Sequence, residues 1–477
     1  MSTSAVQKLA LPALIAMVVG SMIGSGIFTL PSRFAAATGV YGALIAWVIA
    51  GGGMLMLGLV FQFLAQRKPD IDSGIFAYAK YGFGEYWGFA AAIGFWLGTC
   101  VGNVSYWVLI KSTLGAFFPV FGDGNTLTAV LVASVLVWAF HFLILRGVQG
   151  AAGINKLVTI AKIVPLLVFI VVLLFHFDTE IFVNNLVGQG EDAAYDQIWH
   201  QVRRTMLVTV FVFIGIEAAS VYSRYAKKRE DVGRATVIGF LIVISLLVAV
   251  TVLSFGVLPR AEIATMRAPS VAGVMESMVG PWGAKFISAG LIVSVLGAYL
   301  AWSLLAAEVP YLAAKYGLFP KYFEEVNEQK VPKNALLLTN IVVQVFLIVT
   351  MFTEYAFVVA LELTSALTLI PYLLVAAYGL KLAYTGETYE QDPGLRKKEL
   401  VIAGVATFYA MLMIWSGGLK YILLSALIYL PSTVLYYRAR KANNLPVFAK
   451  SETILFGVIA IGAVLAIWAL ATGTITI

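Results

Sequence analysis

Apolar residues dominate the chain in runs of about 20, the length needed to cross a bilayer as a helix, and short polar or basic stretches separate them. The runs predict spans near 11–36, 40–65, 85–117, 126–145, 153–176, 203–224, 236–258, 282–314, 335–353, 356–380, 399–416, 419–437 and 453–473. Thirteen crossings therefore follow an eleventh-residue start, and the long third and eighth runs imply tilt or extension beyond the bilayer. Within the first run the pattern is interrupted. Gly20-Ser21-Met22-Ile23-Gly24-Ser25-Gly26-Ile27-Phe28-Thr29-Leu30-Pro31 places three glycines near two serines inside an otherwise apolar span. A helix breaks there, and in hydrocarbon every freed N–H and C=O needs a partner, so the break makes sense where bare backbone lines a protected polar cavity. A glycine-lined helix crossing is the structural alternative.

The sixth run repeats the peculiarity. Phe211-Val212-Phe213-Ile214-Gly215-Ile216-Glu217-Ala218-Ala219-Ser220 sets a glycine and an acid in mid-membrane. Spans one to five and six to ten then form two halves, each opened by an interrupted helix. Five crossings per half give the halves opposite orientations, the inverted repeat that exposes a central site alternately to either side. The predicted organisation is a tail over 1–10, a first repeat over 11–176, a second, inverted repeat over 203–380 and C-terminal helices over 399–477. The fold class is an all-α integral membrane bundle of the 5+5 inverted-repeat kind.

Composition sharpens this picture and excludes others. Of 477 residues 61% are hydrophobic and 12% charged, against about 25% charged in a soluble domain. Cys100 is the single cysteine, so there is no disulfide framework. The +7 balance does not point to nucleic acid, because the basic residues gather between spans. With the N-terminus in the cytoplasm, about 23 of the 32 Lys and Arg fall on one side, as the positive-inside rule requires. Lys8 and the clusters near Arg67, Arg146, Arg224, Lys315, Arg396 and Arg438 make up that side, and the acidic loop with Asp178, Glu180, Glu191, Asp192 and Asp196 faces the other. Arg203 and Arg204 run against the rule. The three histidines, His141, His176 and His200, have no ligand spacing, so neither a metal nor a cofactor is expected. No Walker-type phosphate loop and no sizeable soluble domain occur, which excludes ATP as the energy source and argues against an enzyme or a sensor.

Gly24-Ser25-Gly26-Ile27-Phe28, Phe213-Ile214-Gly215-Ile216-Glu217, Gly317-Leu318-Phe319-Pro320 and Asp72-Ser73-Gly74-Ile75-Phe76-Ala77-Tyr78 are the segments through which residues 10 to 440 resemble the amino acid–polyamine–organocation superfamily. Within it the chain is similar to the basic amino acid/polyamine antiporters. The resemblance implies secondary exchange of cationic amino acids, arginine for ornithine first, across the cytoplasmic membrane of a bacterium. Exchange of an amino acid for its decarboxylated amine and proton-coupled uptake are the alternatives. The thirteenth span lies beyond the family's usual twelve. The oligomeric state is left open, a homodimer among the options.

Ionisable residues inside a membrane mark function, and Lys111, Lys162, Glu217, Glu308 and Glu362 are the candidates. Glu217 can accept hydrogen bonds from backbone freed at either break, as a gate, a proton site or a structural clamp. The resemblance implies that Lys162 replaces the sodium ion of sodium-coupled relatives. Asn103 matches the position where arginine-recognising relatives contact the distal end of the substrate. Trp302 matches a tryptophan that flanks the side chain, where an aromatic face can hold a cation. Phe211 stands where arginine/agmatine exchangers have tryptophan, and Phe95 where tyrosine is common. Aligning on Thr368 to Tyr372 brings Glu362 near the distal pocket, where it would neutralise the side-chain cation; a helix-bridging carboxylate is the other reading. Glu308 belongs to the inner vestibule, and Lys111 snorkels. The substrate carboxylate is expected at the amides of Ser25 and Gly26, its ammonium at carbonyls around Ile23 and Ile214, and its side chain toward Asn103, Trp302 and Glu362.

Overall fold

The computed structural model describes residues 10–71, 75–147, 151–187, 197–217, 228–352, 355–390 and 392–475. The Asp72-Ser73-Gly74 part of one motif, the Ala218-Ala219-Ser220 part of another, Lys8, Arg224 and the acidic loop residues Glu191, Asp192 and Asp196 lie outside them. Among the described residues nine helices are long and apolar enough to cross a membrane, and a bent pair makes a tenth. The protein is a multi-span, all-helical membrane protein.

The bent pair is α1 (Leu11–Met22) and α2 (Leu30–Ala37), joined through a 3-10 turn at Gly26–Thr29. The two arms differ in direction by 47°. Ile23, the residue after α1, is extended at φ −76° and ψ 99°, which ends the helix. There follow α3 (Val40–Arg67), α4 (Ile75–Phe83), α5 (Glu85–Gly115), α6 (Leu127–Leu145), α7 (Ala151–Phe175), the short α8 (Thr179–Asn184) and α9 (Ile198–Phe213). The ninth helix stops at Phe213, and Gly215 takes the left-handed φ of +109°. The helix thus ends where the glycine predicted an interruption.

The remaining helices are α10 (Arg229–Ser254), α11 (Arg260–Thr265), α12 (Ser270–Val279), α13 (Pro281–Lys315), α14 (Lys333–Val349), α15 (Ala356–Thr385), α16 (Pro393–Ala442) and α17 (Lys450–Ala471). Hydropathy did not anticipate α4, α8, α11 or α12, which are too short to span; α4, α11 and α12 owe their helicity to packing on neighbours, and α8 starts at a cap made by the Asp178 carboxylate. The eleventh and twelfth predicted spans fall within the one helix α16, broken where Gly418 adopts φ +77° and ψ 172°.

The core is the interior of the bundle. Helix α5 is buried along nearly its whole length, packed by α4, α13 and α15. Helices α1, α3, α9 and α10 form a second group around the breaks. Lipid-facing positions are apolar and exposed, as on α17 at Ile454, Val458, Ile461, Val464 and Trp468. Arg203, without explanation from the sequence, lays its guanidinium 4.6 Å over the Trp415 ring, so an aromatic face at a helix end receives its charge. Lys111 does not snorkel: it is 1% exposed and donates to Thr350 Oγ1 at 3.0 Å.

Two polar ties hold the end of the bundle where the basic clusters gather. Arg67 at the end of α3 makes a two-pronged pair with Glu399 of α16, at 2.5 and 3.0 Å, with its guanidinium 3.7 Å over Tyr389. The Tyr389 hydroxyl donates to the same carboxylate at 2.7 Å. Burial first, and then the hydrogen bond to the Glu399 carboxylate and its charge, push that phenol's pKa up. Removing one partner strands a mostly buried charge, at about 3–5 kcal/mol. Glu399→Ala is therefore expected to lower the melting temperature of the detergent-solubilised protein, and Arg67→Met with Glu399→Met to lower it by less than the sum of the single changes.

The second tie serves the start of α5. Gly84 precedes that helix at φ +123° and has no side chain to cap it. The carboxylate of Glu452, in the first turn of α17, does so instead: Oε1 accepts from Tyr86 N and Oε2 from Ala449 N, both at 2.8 Å. A carboxylate at two helix starts satisfies free amides and favours both dipoles.

Candidate functional site

Both interruptions meet at mid-bundle. Ser21 Oγ, in the last turn of α1, donates to the Gly215 carbonyl at 3.0 Å. The approach is backbone to backbone, since a Cβ on Gly215 would lie 2.7 Å from the Ser21 carbonyl oxygen. Gly26 is equally close-packed, with Val212 and Phe211 where its Cβ would be. Each break therefore needs glycine for room, and Gly215 for conformation as well.

Two ionisable side chains brace this junction. Lys162 of α7 is 5% exposed and donates to the Gly20 carbonyl at 2.7 Å, tying α7 to the last turn of α1. Glu217 of the second break accepts through one oxygen from Gly215 N at 3.1 Å and from the Tyr372 hydroxyl of α15 at 2.8 Å. The carboxylate thus holds the unwound segment against a helix of the scaffold.

Between the breaks and helices α5, α13 and α15 lies a cavity. Ser21, Met22, Gly24, Gly26 and Ile27 line it from the first break, and Phe211, Val212 and Ile214 from the second. Thr99, Gly102, Asn103 and Tyr106 face it from α5, Trp302 from α13, Leu247 from α10, and Thr364 and Thr368 from α15. The walls are mainly apolar with a few polar groups, the usual make-up of a small-molecule site. Three buried polar atoms here have no protein partner: Ser25 Oγ, Asn103 Oδ1 and Thr364 Oγ1. A buried polar atom without a partner is costly, and a ligand with N–H groups would satisfy the last two.

Of the residues singled out in the sequence, Gly26, Asn103, Phe211, Ile214 and Trp302 line the cavity. Ile23 and Ser25 are buried beside them at the first break, contributing backbone and the Ser25 hydroxyl. Glu362 does not reach the cavity. It is half-buried on α15 with the Tyr421 hydroxyl donating to it and with Arg33 as the charge that faces it. The physical reason is helical phase: Thr364 and Thr368 share one face, and Glu362, two residues before Thr364, lies about 200° around the helix from it. Glu308 is half-buried one to two turns beyond Trp302, outside the lining.

Thr99, Tyr106, Thr364 and Thr368 were missed in the sequence. Their signal is spacing: Thr99, Asn103 and Tyr106 stand at i, i+4 and i+7 on one face of α5, as Thr364 and Thr368 do at i and i+4 on α15. Among the described residues no group of His, Cys, Asp and Glu could hold a metal ion.

Comparison with known proteins identifies the family. The profile of the family described as "Amino acid permease" matches residues 9–459. An "Arginine/ornithine antiporter" of Pseudomonas aeruginosa is 50% identical over 100% of both chains. An "L-lysine transport protein" of Corynebacterium glutamicum is 40% identical, covering 97% of this chain and 95% of its own. An "Arginine/agmatine antiporter" of Chlamydia pneumoniae is 37% identical over 100% of this chain and 99% of its own.

Proposed function

This chain belongs to the amino acid permease family, a family of carriers and not of enzymes, and from that premise we propose that it exchanges arginine for ornithine by alternating access. The relative at 50% identity, named for that exchange, supports the pair of substrates. The observation that carries the reading is the cavity itself. Both ends of an amino acid find matching backbone there, and the far wall offers acceptors without a carboxylate.

The first amides of a helical segment have no partner within it, and the segment starting at Gly26 opens into the cavity. The substrate carboxylate binds there, beside Ser25 Oγ. The carbonyl ends at Ile23 and Ile214 receive the α-ammonium. The side chain runs along Trp302 to Asn103 Oδ1 and Thr364 Oγ1, where a guanidinium or ammonium supplies the missing donors. A face of Trp302 adds roughly 1–2 kcal/mol for a desolvated cation. With no acid among the described lining residues, recognition of the charge rests on neutral acceptors and the ring. Such a site can load and release either cation without stripping it from a buried counter-ion.

Lys162 and Glu217 fix the breaks to α7 and α15, so movement of the inverted halves 11–176 and 203–380 against one another carries the site with it. The excess of basic residues on one side favours a cytoplasmic N-terminus, with the Arg67, Lys315 and Arg438 clusters on the same side.

Arginine and ornithine both carry +1 at neutral pH, so their exchange moves no net charge. Proteoliposomes loaded with ornithine are expected to take up labelled arginine, empty ones hardly at all, and a clamped membrane potential is expected to leave the rate unchanged. Equal uptake into empty vesicles would overturn exchange. Loading with agmatine, whose charge is +2, separates the amine-exchange alternative, because that swap follows the potential.

A further inference from the structure

Behind Asn103 a line of polar side chains leaves the cavity. Asn103 Nδ2 donates to Ser303 Oγ on α13 at 3.4 Å. One turn back on the same helix, the Tyr299 phenol has the Trp107 indole and Ser303 beside it and donates to Asn340 Oδ1 on α14 at 3.4 Å. Asn340 Nδ2 then meets His141 Nδ1 on α6 at 2.9 Å. All five residues are buried, His141 to 5% exposure. Tyr299, Asn340 and His141 do not line the cavity, so contact with a substrate does not account for them. Polar side chains at such depth are costly unless they are bonded to one another.

The line has a direction. An amide nitrogen only donates, so His141 Nδ1 accepts and its ring proton sits on Nε2. The Asn340 oxygen consequently faces Tyr299, whose hydroxyl hydrogen goes to it. The phenol oxygen is left to accept, with the Trp107 indole and the Ser303 hydroxyl as the donors beside it, and the Ser303 oxygen accepts from Asn103. At the end of this sequence Asn103 presents its carbonyl oxygen as the unused atom, and Asn103 Oδ1 is buried in the cavity lining without a partner. Reversal of every link would present two N–H donors in its place, which repel a guanidinium.

We propose that His141 is a positioning residue which, through Asn340, Tyr299 and Ser303, holds the Asn103 amide with its oxygen toward the substrate and thereby sets the preference for a cationic side chain over a neutral one of the same shape. The inference rests on the reading of the cavity as a site for cationic amino acids. Its probe is citrulline, which replaces the guanidinium of arginine by a neutral urea group.

His141→Phe keeps a ring against Trp138 and Phe142, which flank the imidazole edge-on, and removes the acceptor. Tyr299→Phe cuts the line midway, and His141→Asn retains an acceptor near the place of Nδ1. In ornithine-loaded proteoliposomes, the ratio of arginine to citrulline affinity is expected to fall about tenfold in the two Phe variants, the scale of one hydrogen bond lost. The change should lie in the KM for arginine with kcat held, and His141→Asn should restore the wild-type ratio. Equal loss of both substrates, or an unchanged ratio, would overturn the proposal. Tyr299→Phe carries the same expectation on its own if His141→Phe does not fold. Wild-type protein that fails to exchange arginine for ornithine would instead refute the function proposed above.

Discussion

Replacing Gly215 by alanine is expected to abolish exchange. The new Cβ would lie 2.7 Å from the Ser21 carbonyl oxygen and 2.9 Å from its carbon, both backbone atoms. The residue would also have to hold φ at +109°, a conformation that an L side chain rarely adopts, at about 1–3 kcal/mol. Neither cost is relieved by a rotamer change, so the two breaks must move apart. Separation also removes the Ser21 Oγ to Gly215 carbonyl bond and shifts the carbonyl ends that receive the substrate's ammonium. A displacement of this kind next to the bound molecule is felt mainly in the affinity and rate of exchange, and a fall of at least about 100-fold is expected in ornithine-loaded vesicles. Gly457→Ala on α17 is the matched control, because nothing lies within 4 Å of its added methyl. Wild-type exchange by Gly215→Ala would show that the close contact of the breaks does not matter.

Lys162→Met is the second large effect. The methionine fills the same volume but cannot donate, and the Gly20 carbonyl, one turn before the break, loses a charge-assisted bond of 2.7 Å. Bonds of that class contribute about 1.5–3 kcal/mol, or roughly 10- to 150-fold in an equilibrium. The loss should appear as a disordered α1 end and a comparable drop in exchange rate. Arginine at 162 is not expected to restore it, because a planar fork does not fit a site shaped around a single ammonium. Transport within twofold of wild type would remove Lys162 from the machinery.

How far the sequence foretold this site depends on the kind of signal each residue leaves. The two breaks were legible because glycine beside serine or glutamate inside an apolar run contradicts its surroundings, and the contradiction has few physical solutions in hydrocarbon. Lys162 and Glu217 stood out for the same reason. Glu362 stood out too, yet charge in a span says nothing of azimuth; counting residues around α15 from Thr364 and Thr368 turns it toward Arg33 and Tyr421. The threonines of α5 and α15 gave a weak signal because threonine is common in membrane helices, where it bonds its own backbone, as Thr99 does to Phe95 O at 2.8 Å. The line from Asn103 to His141 was invisible, since it joins four helices whose neighbourhood no local pattern encodes. The short helices outside the spans escaped for want of length.

The capping of α5 by Glu452 bears on chains of other lengths. Removing α17 would uncap the helix that carries Asn103, so the last segment is no detachable appendage. A relative that ends earlier has to close that helix start by different means, with a serine, threonine or aspartate where this chain has Gly84. Covariation between that position and the presence of a terminal helix equivalent to α17 is what such an exchange of duties would leave behind.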